Sequence, residues 1–389
     1  MDSGARPVAP LAFPVGFESF NRRKFLNYQL NRAHALGFAD GAELRASARD
    51  ARSSDDCTVA MEASSTRAES EGRLRHAAGT LRIAEFFTPG RSPEKLTRYR
   101  RYRALFDAAF DDSGIVRHEV PYGNASLPAY RLEGLGTRRG TVLVHGGFDS
   151  LIEEFVGVWQ RIAAVGFDVI AFDGPGQGGA RRLGGLTFDH DWEKPVAAVL
   201  DEFGVETAGL VGISMGGYGA LRAAGREPRI DRVVSWPPVY DWMVRVPRVV
   251  RRPAQRMLAQ RDFMRWSIRT RARLIPTLRV VVDQALFNID GHDPVEIVDW
   301  FLGMNAEHLG SERVTQDVLL LCGEHDAFQP PMLTRAQEHA LVAARSVAVR
   351  TFTEVEHADQ HCQMGNLELA CRVITDWLVA PGPISTKSR

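Results

Sequence analysis

From residue 115 onward, short β-branched apolar runs alternate with stretches of helical spacing, and this alternation is the clearest pattern in the chain. Residues 115–121 alternate apolar and polar positions at period two, and residues 127–132 follow after a turn at Gly123-Asn124. The pair predicts an antiparallel edge. Residues 141–145, 167–172, 208–212, 233–235, 318–322 and 346–352 are short apolar runs, as strands buried on both faces must be. Helical spacing appears over 155–165, and a final helix is predicted over 367–379. Strands alternating with helices predict an α/β protein: a mostly parallel sheet with helices on both faces.

Two regions break the alternation. Residues 1–114 hold no strand pattern. Residues 17–38 carry Phe20, Phe25, Tyr28, Leu30 and Leu36 at helical spacing, with Gly37 near the end. Residues 74–87 and 93–110 are further helices, the second opened by Ser92-Pro93. Residues 50–71, rich in Ser, Ala and charge, fit either a loop or a weakly patterned helix. An all-helical N-terminal region over 1–114 is therefore expected. The second break is 238–310, where helices are predicted over 242–266, 268–287 and 294–304. That insertion between core segments 115–237 and 311–389 is too long for an ordinary connection. Above the carboxyl edge of a parallel sheet it would form a lid.

One motif gives this architecture a chemistry. Gly212-Ile-Ser214-Met-Gly216 follows an apolar run and leads into a helical stretch. This is the nucleophile-elbow pattern, in which a serine sits at the tip of a strand–turn–helix. Its tight turn leaves no room for side chains two positions either side. The hydroxyl then points out of the sheet, and the Met215 N–H faces the place where an oxyanion would form.

A serine nucleophile needs a base, and the base an orienting acid. On the α/β-hydrolase fold their chain order is Ser, Asp or Glu, then His. Glu324 and Asp326 end the strand at 318–322, and Asp326 is the expected acid. His357 and His361 follow the last strand; His361, nearer the closing helix, is the expected base, with His357 an alternative or a site-lining residue. His325, beside the acid, reads as structural, and a metal reading of the His357–His361 spacing lacks an accompanying acid motif. His145-Gly-Gly-Phe-Asp149 follows the first central strand and resembles the loop that supplies the second oxyanion N–H, from Phe148 or Gly147. His145, Asp149 and Tyr218 are further candidates for substrate contact. The glycine-rich 172–179 segment lacks a phosphate-loop lysine and reads as a rigid loop beside the site.

Composition narrows the class. Lys+Arg and Asp+Glu number 48 each, so nothing global predicts a nucleic-acid or membrane partner. The four cysteines lack metal-type spacing and read as reduced thiols. No signal-peptide pattern or membrane-length apolar run appears, so a cytoplasmic protein is expected. Locally the charge is uneven. Between Arg245 and Arg273 stand ten arginines and one acid, Asp262. They are expected to form a solvated face or to pair with N-terminal acids; docking of an acidic partner or anionic substrate is the alternative.

Together the segments 145–154, 172–178, 212–217, 323–326, His361-Cys-Gln and Asn27-Tyr-Gln-Leu-Asn-Arg32 resemble one group across nearly the whole chain. These are the α/β-hydrolases related to 2,6-dihydroxypseudooxynicotine hydrolase and the fungal pigment-polyketide shortening hydrolases. The resemblance implies a cap built from the N-terminal region and the insertion, closing over Ser214, Asp326 and His361, and its His-Cys-Gln pattern favours His361 as base. It also implies hydrolysis of an ester or a ketone-adjacent C–C bond in an aromatic or polyketide compound. The expected partner is a small molecule, with no cofactor and no metal; a homodimer is left open. The rivals are an acyltransferase or cyclase using the same acyl-serine, and a non-catalytic binding protein on this fold.

Overall fold

The computed structural model describes residues 10–381. Five helices come first: α1 (Lys24–Ala35), α2 (Gly41–Ala48), α3 (Ser54–Ser70), α4 (Leu74–Phe87) and α5 (Pro93–Ala109). The segment left between loop and helix is thus the helix α3, started by Ser53, whose hydroxyl accepts from the Asp56 N–H (3.0 Å). The helix expected from residue 17 begins only at Lys24. Ahead of it the Asn27 side chain accepts from the Phe20 and Asn21 N–H groups (2.8 and 3.0 Å), which holds the entering chain in a non-helical turn.

Eight strands then form one sheet: β1 (Val116–Tyr122), β2 (Ala125–Leu132), β3 (Gly140–His145), β4 (Phe167–Phe172), β5 (Ala208–Ile213), β6 (Ile230–Trp236), β7 (Asp317–Gly323) and β8 (Ser346–Phe352). Their order is β1-β2-β4-β3-β5-β6-β7-β8. The β1–β2 and β2–β4 pairs are antiparallel, and β3 through β8 are parallel. Between strands lie α6 (Val156–Ala164), α7 (Gly178–Arg182), α8 (Glu193–Glu202) and α9 (Gly216–Ala224). Alternate strand residues sort onto two cores. Val142, Val144, Val211, Ile213, Leu319 and Leu321 pack towards α6 and the N-terminal helices. Leu143, Leu210, Val233, Val318 and Leu320 pack towards α8 and α9.

The insertion carries α10 (Arg248–Leu258), α11 (Arg261–Leu274), α12 (Pro276–Ile289), α13 (Pro294–Gly303) and α14 (Ala306–Leu309). Its breaks differ from those expected. Helix 242–266 is divided at Pro247 and again at 259–260, and helix 268–287 is divided at Pro276. Pro276 has no N–H and therefore opens α12, while Ile275 before it is extended. The chain ends with α15 (Pro331–Ala340) and α16 (Leu367–Val379).

A buried ion cluster joins the N-terminal helices to the sheet's upper loops. Arg32 of α1 pairs with Asp149 and Glu154 (both 3.0 Å), and Arg82 of α4 pairs with Glu154 (2.8 Å) and Glu85 (2.7 Å). Lys95 and Arg182 complete the shell around Glu85, at 3.1 and 2.7 Å. Burial alone would raise the Glu85 carboxyl; Arg182, Lys95 and Arg82 instead hold it well below the carboxylate range. Burial pulls the Lys95 ammonium down to about 8, against the pull of Glu85.

Glu85 is therefore an anchor whose loss strands three cations. Glu85→Gln is expected to cost about 3–5 kcal/mol in chemical denaturation. The lowered carboxyl sets the pH sign: the wild-type advantage is full above the ordinary carboxylate value and shrinks as pH falls below it. Denaturation midpoints of both proteins across that range check both expectations.

Candidate active site

The elbow forms where β5 meets α9. Ser214 adopts a left-handed backbone (φ 59°), a conformation costing about 1–3 kcal/mol for a residue with a side chain. A Cβ at Gly212 would lie 2.1 Å from the Gly216 carbonyl oxygen, so the turn can close only over glycine. The Ser214 N–H donates to the Trp236 carbonyl at the end of β6, which fixes the strained residue.

Three side chains meet above the carboxyl ends of β5, β7 and β8. Ser214 Oγ lies 2.8 Å from His361 Nε2, and His361 Nδ1 lies 2.7 Å from Asp326 Oδ2. Asp326 Oδ1 accepts from the Phe328 and Gln329 N–H groups, both at 2.8 Å, so the carboxylate cannot rotate away. With Asp326 accepting at Nδ1, the neutral ring leaves Nε2 to accept from the serine hydroxyl. Burial opposes charge on His361, but the Asp326 carboxylate outweighs it and holds the imidazole well above its ordinary value. The arrangement can draw the hydroxyl proton from Ser214 and stabilise the imidazolium that results.

Trp236 locks this geometry a second time. Its indole N–H donates to Gln363, and its carbonyl also accepts from the Cys362 thiol (3.7 Å). One residue thereby ties the Ser214 backbone to the His361-Cys-Gln turn.

The loop after β3 lies against the elbow. A Cβ on Gly147 would sit 2.7 Å from Ser214 Cβ, which explains the glycine. The Gly147 N–H, however, donates to Ser150 Oγ (2.8 Å) and is not available to a substrate, which corrects its candidacy as an oxyanion donor. The Phe148 N–H has no hydrogen-bond partner among the described residues. Gln329, which the sequence reading missed, faces the Met215 N–H. With its amide oriented to satisfy both ends, it accepts from Met215 at 3.3 Å and donates to the Pro237 carbonyl at 3.2 Å. A contact that long is weak, and an incoming oxyanion can replace it. The glycine-rich segment is a buttress: Gln177 donates to the Gly146 and Gly147 carbonyls (2.7 and 2.9 Å).

Ser214 opens into a cavity of about 510 Å³. Phe25, Phe86, Phe148, Trp242, Phe301 and Phe328 make most of its wall apolar, and Tyr28, Arg32, Asp149 and Gln284 add polar points. Asp149 thus reaches the cavity, already paired with Arg32. The other proposed substrate contacts do not line it. His145 is fully buried below the loop, its Nε2 accepting from the Trp192 indole (3.2 Å), and burial lowers its pKa to about 4. Tyr218 borders a small void behind the elbow, with Trp192 and Trp300. His357 is solvent-exposed. His325 pairs with Asp359 on the surface (3.1 Å), and Glu324 accepts from the Glu354 N–H (2.7 Å).

A family model described as alpha/beta hydrolase fold matches residues 142–360. The chain belongs to this family. Hydrolase acrC of Aspergillus aculeatus is 35% identical over 202 residues, covering 44% of this chain and 47% of that protein. The 20-hydroxy-prefusarin hydrolase FUS2 of Gibberella moniliformis is 38% identical over 185 residues, covering 41% and 43%. The match thus spans under half the length of these relatives. Among solved structures, 2,6-dihydroxy-pseudo-oxynicotine hydrolase superposes with TM-score 0.63 at 18% identity, over 92% of this chain and 98% of that one. AbyA5 gives 0.64 at 23%, over 88% and 93%. At such identity the two structures speak for the fold of this alpha/beta hydrolase family member alone.

The raised His361 value is directly measurable. In histidine-labelled protein the His361 ring is expected to titrate above 6.5 by NMR, and below it in Asp326→Asn, where burial acts without the carboxylate. An unshifted or lowered wild-type value would contradict the pairing.

Proposed function

We propose that this chain is a serine hydrolase acting on a small, largely apolar acyl compound of aromatic or polyketide type. The reading rests on one observation: the Ser214–His361–Asp326 hydrogen-bonded chain opens into the 510 Å³ apolar-walled cavity. Ser214 attacks the substrate carbonyl as His361 takes its proton, and Asp326 holds the imidazolium. The Met215 and Phe148 N–H groups receive the oxyanion, at about 3–4 kcal/mol per donor. His361 then protonates the leaving group, and water repeats the sequence on the acyl-serine. The N-terminal helices and the insertion act as the cap. The name of one relative specifies 20-hydroxy-prefusarin, an organic substrate in keeping with such a pocket.

Tyr28 favours the C–C variant of this chemistry. Its ring packs on Phe328 (centroids 5.4 Å), and Phe328 packs on His361 (5.1 Å), so the phenol lies on the same cavity wall as the base, one aromatic side chain away. Burial, with Cys362 next, raises its pKa well above the ordinary value and keeps the hydroxyl a donor. When a tetrahedral adduct of a β-diketone collapses, the C–C electron pair moves into an enolate. Tyr28 can donate a hydrogen bond to that enolate oxygen while His361 protonates the carbon.

A fluorophosphonate probe is expected to label wild type and not Ser214→Ala; wild type left unlabelled would sink the reading. His361→Ala should lose about 10⁴-fold or more in kcat, with His357→Ala near wild type. Tyr28→Phe is expected to slow β-diketone cleavage about 10²-fold and to spare a phenyl ester, whose phenolate leaves unaided. Equal slowing of both substrates would remove Tyr28 from the C–C step.

A further inference from the structure

Helices α10 and α11 have no buried residue. Val249 is 88% exposed, Trp266 63% and Leu274 76%, with Met257 and Phe263 also exposed. On α10, Arg248, Arg252 and Arg256 form one row at four-residue spacing, and Val249, Pro253 and Met257 form the adjacent row. On α11, Phe263 and Trp266 pack ring against ring (6.0 Å), with Arg269 and Arg273 continuing the same outer face. Of the two expected alternatives, a solvated face or pairing with N-terminal acids, the pairing is not seen among the described residues: Arg261 pairs with Asp299 (2.6 Å) and Arg265 with Asp293 (2.7 Å), both within the insertion. Arg248, Arg252, Arg256, Arg269, Arg271 and Arg273 form no ion pair among the described residues.

We propose that this α10–α11 face docks the protein on an anionic phospholipid surface. Arginine rows flanking exposed aromatic and aliphatic side chains are what such an interface recognises: the charges meet headgroup phosphates while the apolar row enters the acyl boundary. A second copy of the chain fits poorly, because two-fold packing of this face would set its arginines against themselves. An acidic protein surface would satisfy the arginines but leave Trp266, Phe263 and Val249 without a comparable apolar partner. The zero net charge, from which no membrane partner is expected, averages over this face and conceals it. The attachment places an insertion whose Trp242, Val281 and Phe301 line the cavity next to a reservoir of apolar compounds.

The test is cosedimentation of the full chain with phosphatidylcholine vesicles, with and without phosphatidylserine, alongside Trp fluorescence. Binding only to the anionic vesicles, with a blue shift, is expected. The variant carrying Arg248→Glu, Arg252→Glu and Arg256→Glu should bind about a hundredfold more weakly. The variant carrying Phe263→Ser and Trp266→Ser should lose binding and the blue shift. No binding to anionic vesicles, or equal binding to both kinds, overturns the proposal. So does an aromatic variant that binds as wild type, which would point to an acidic protein, or self-association abolished by that variant. Melting curves confirm that the variants fold, and fluorophosphonate labelling of Ser214 reports separately on the catalytic reading.

Discussion

The buried ion cluster around Glu154 and Glu85 is the constraint on which the site depends. Removing charges from water costs several kcal/mol per ion, and only close pairing offsets it. Here the partners come from regions remote in sequence: Arg32 from α1, Arg82 and Glu85 from α4, Lys95 from α5, Asp149 and Glu154 from the loop after β3, Arg182 from α7. If the helices separate from the loop, those charges are left unpaired in a low-dielectric setting. The same loop carries Gly147 and Phe148 against the elbow, and Glu154 also accepts from the Leu151 N–H (2.8 Å). Docking of the N-terminal helices and placement of the Phe148 N–H are thus one event, which gives a physical reason why residues far from Ser214 belong to its site.

Strain at the elbow is held in the same distributed way. Ser214 keeps its left-handed backbone because neighbours over-determine it: glycines that let the turn close, the Trp236 carbonyl that takes its N–H, and the β5–β6 ladder below. Trp236 also holds the His361-Cys-Gln turn, so Ser214 and His361 are referenced to one rigid strand end. Preorganisation of this kind lets short hydrogen bonds exist before substrate arrives, instead of being built at the cost of binding energy.

Much of this was legible in the sequence, for a definite reason. Strands buried on both faces must be continuous apolar runs, and six of the strands form where that pattern falls, while the β1–β2 edge forms at the alternating segment and the one that follows its turn. The elbow, Asp326 and His361 were legible because each lies just after such a run, where the chain turns above the sheet. What could not be read depends on tertiary reach. Gln329 and Tyr28 sit in segments with ordinary helical or loop patterns, and only the fold turns them towards Ser214. His145, Tyr218 and His357 fail in the opposite way: they adjoin motif residues in sequence, but His145 ends β3 buried beneath the loop, Tyr218 turns with α9 to the void behind the elbow, and His357 turns to solvent. Gly147 was miscounted as a donor because nothing in a sequence shows that Ser150 takes its N–H.

The cavity wall divides along the same line. Ser214, Met215, Phe148 and His361 come from loops at the sheet's carboxyl edge, whereas Phe25, Tyr28, Phe86, Val281 and Phe301 come from the N-terminal helices and the insertion. The core supplies bond-making groups whose positions tolerate little change, since a shift of about 1 Å costs roughly 10²-fold in rate. The helices supply surface whose residues can vary one at a time, each apolar change altering selectivity by about 1–3 kcal/mol without disturbing Ser214. Tyr28, like Arg32 and Gln284, is a polar exception on the helical side, and its ring packs on Phe328, which packs on His361. A roof that carries a donor of this kind selects by chemistry as well as by shape. Under the proposed mechanism, the choice between an oxygen and a carbon leaving group falls to Tyr28 of α1 and not to the elbow.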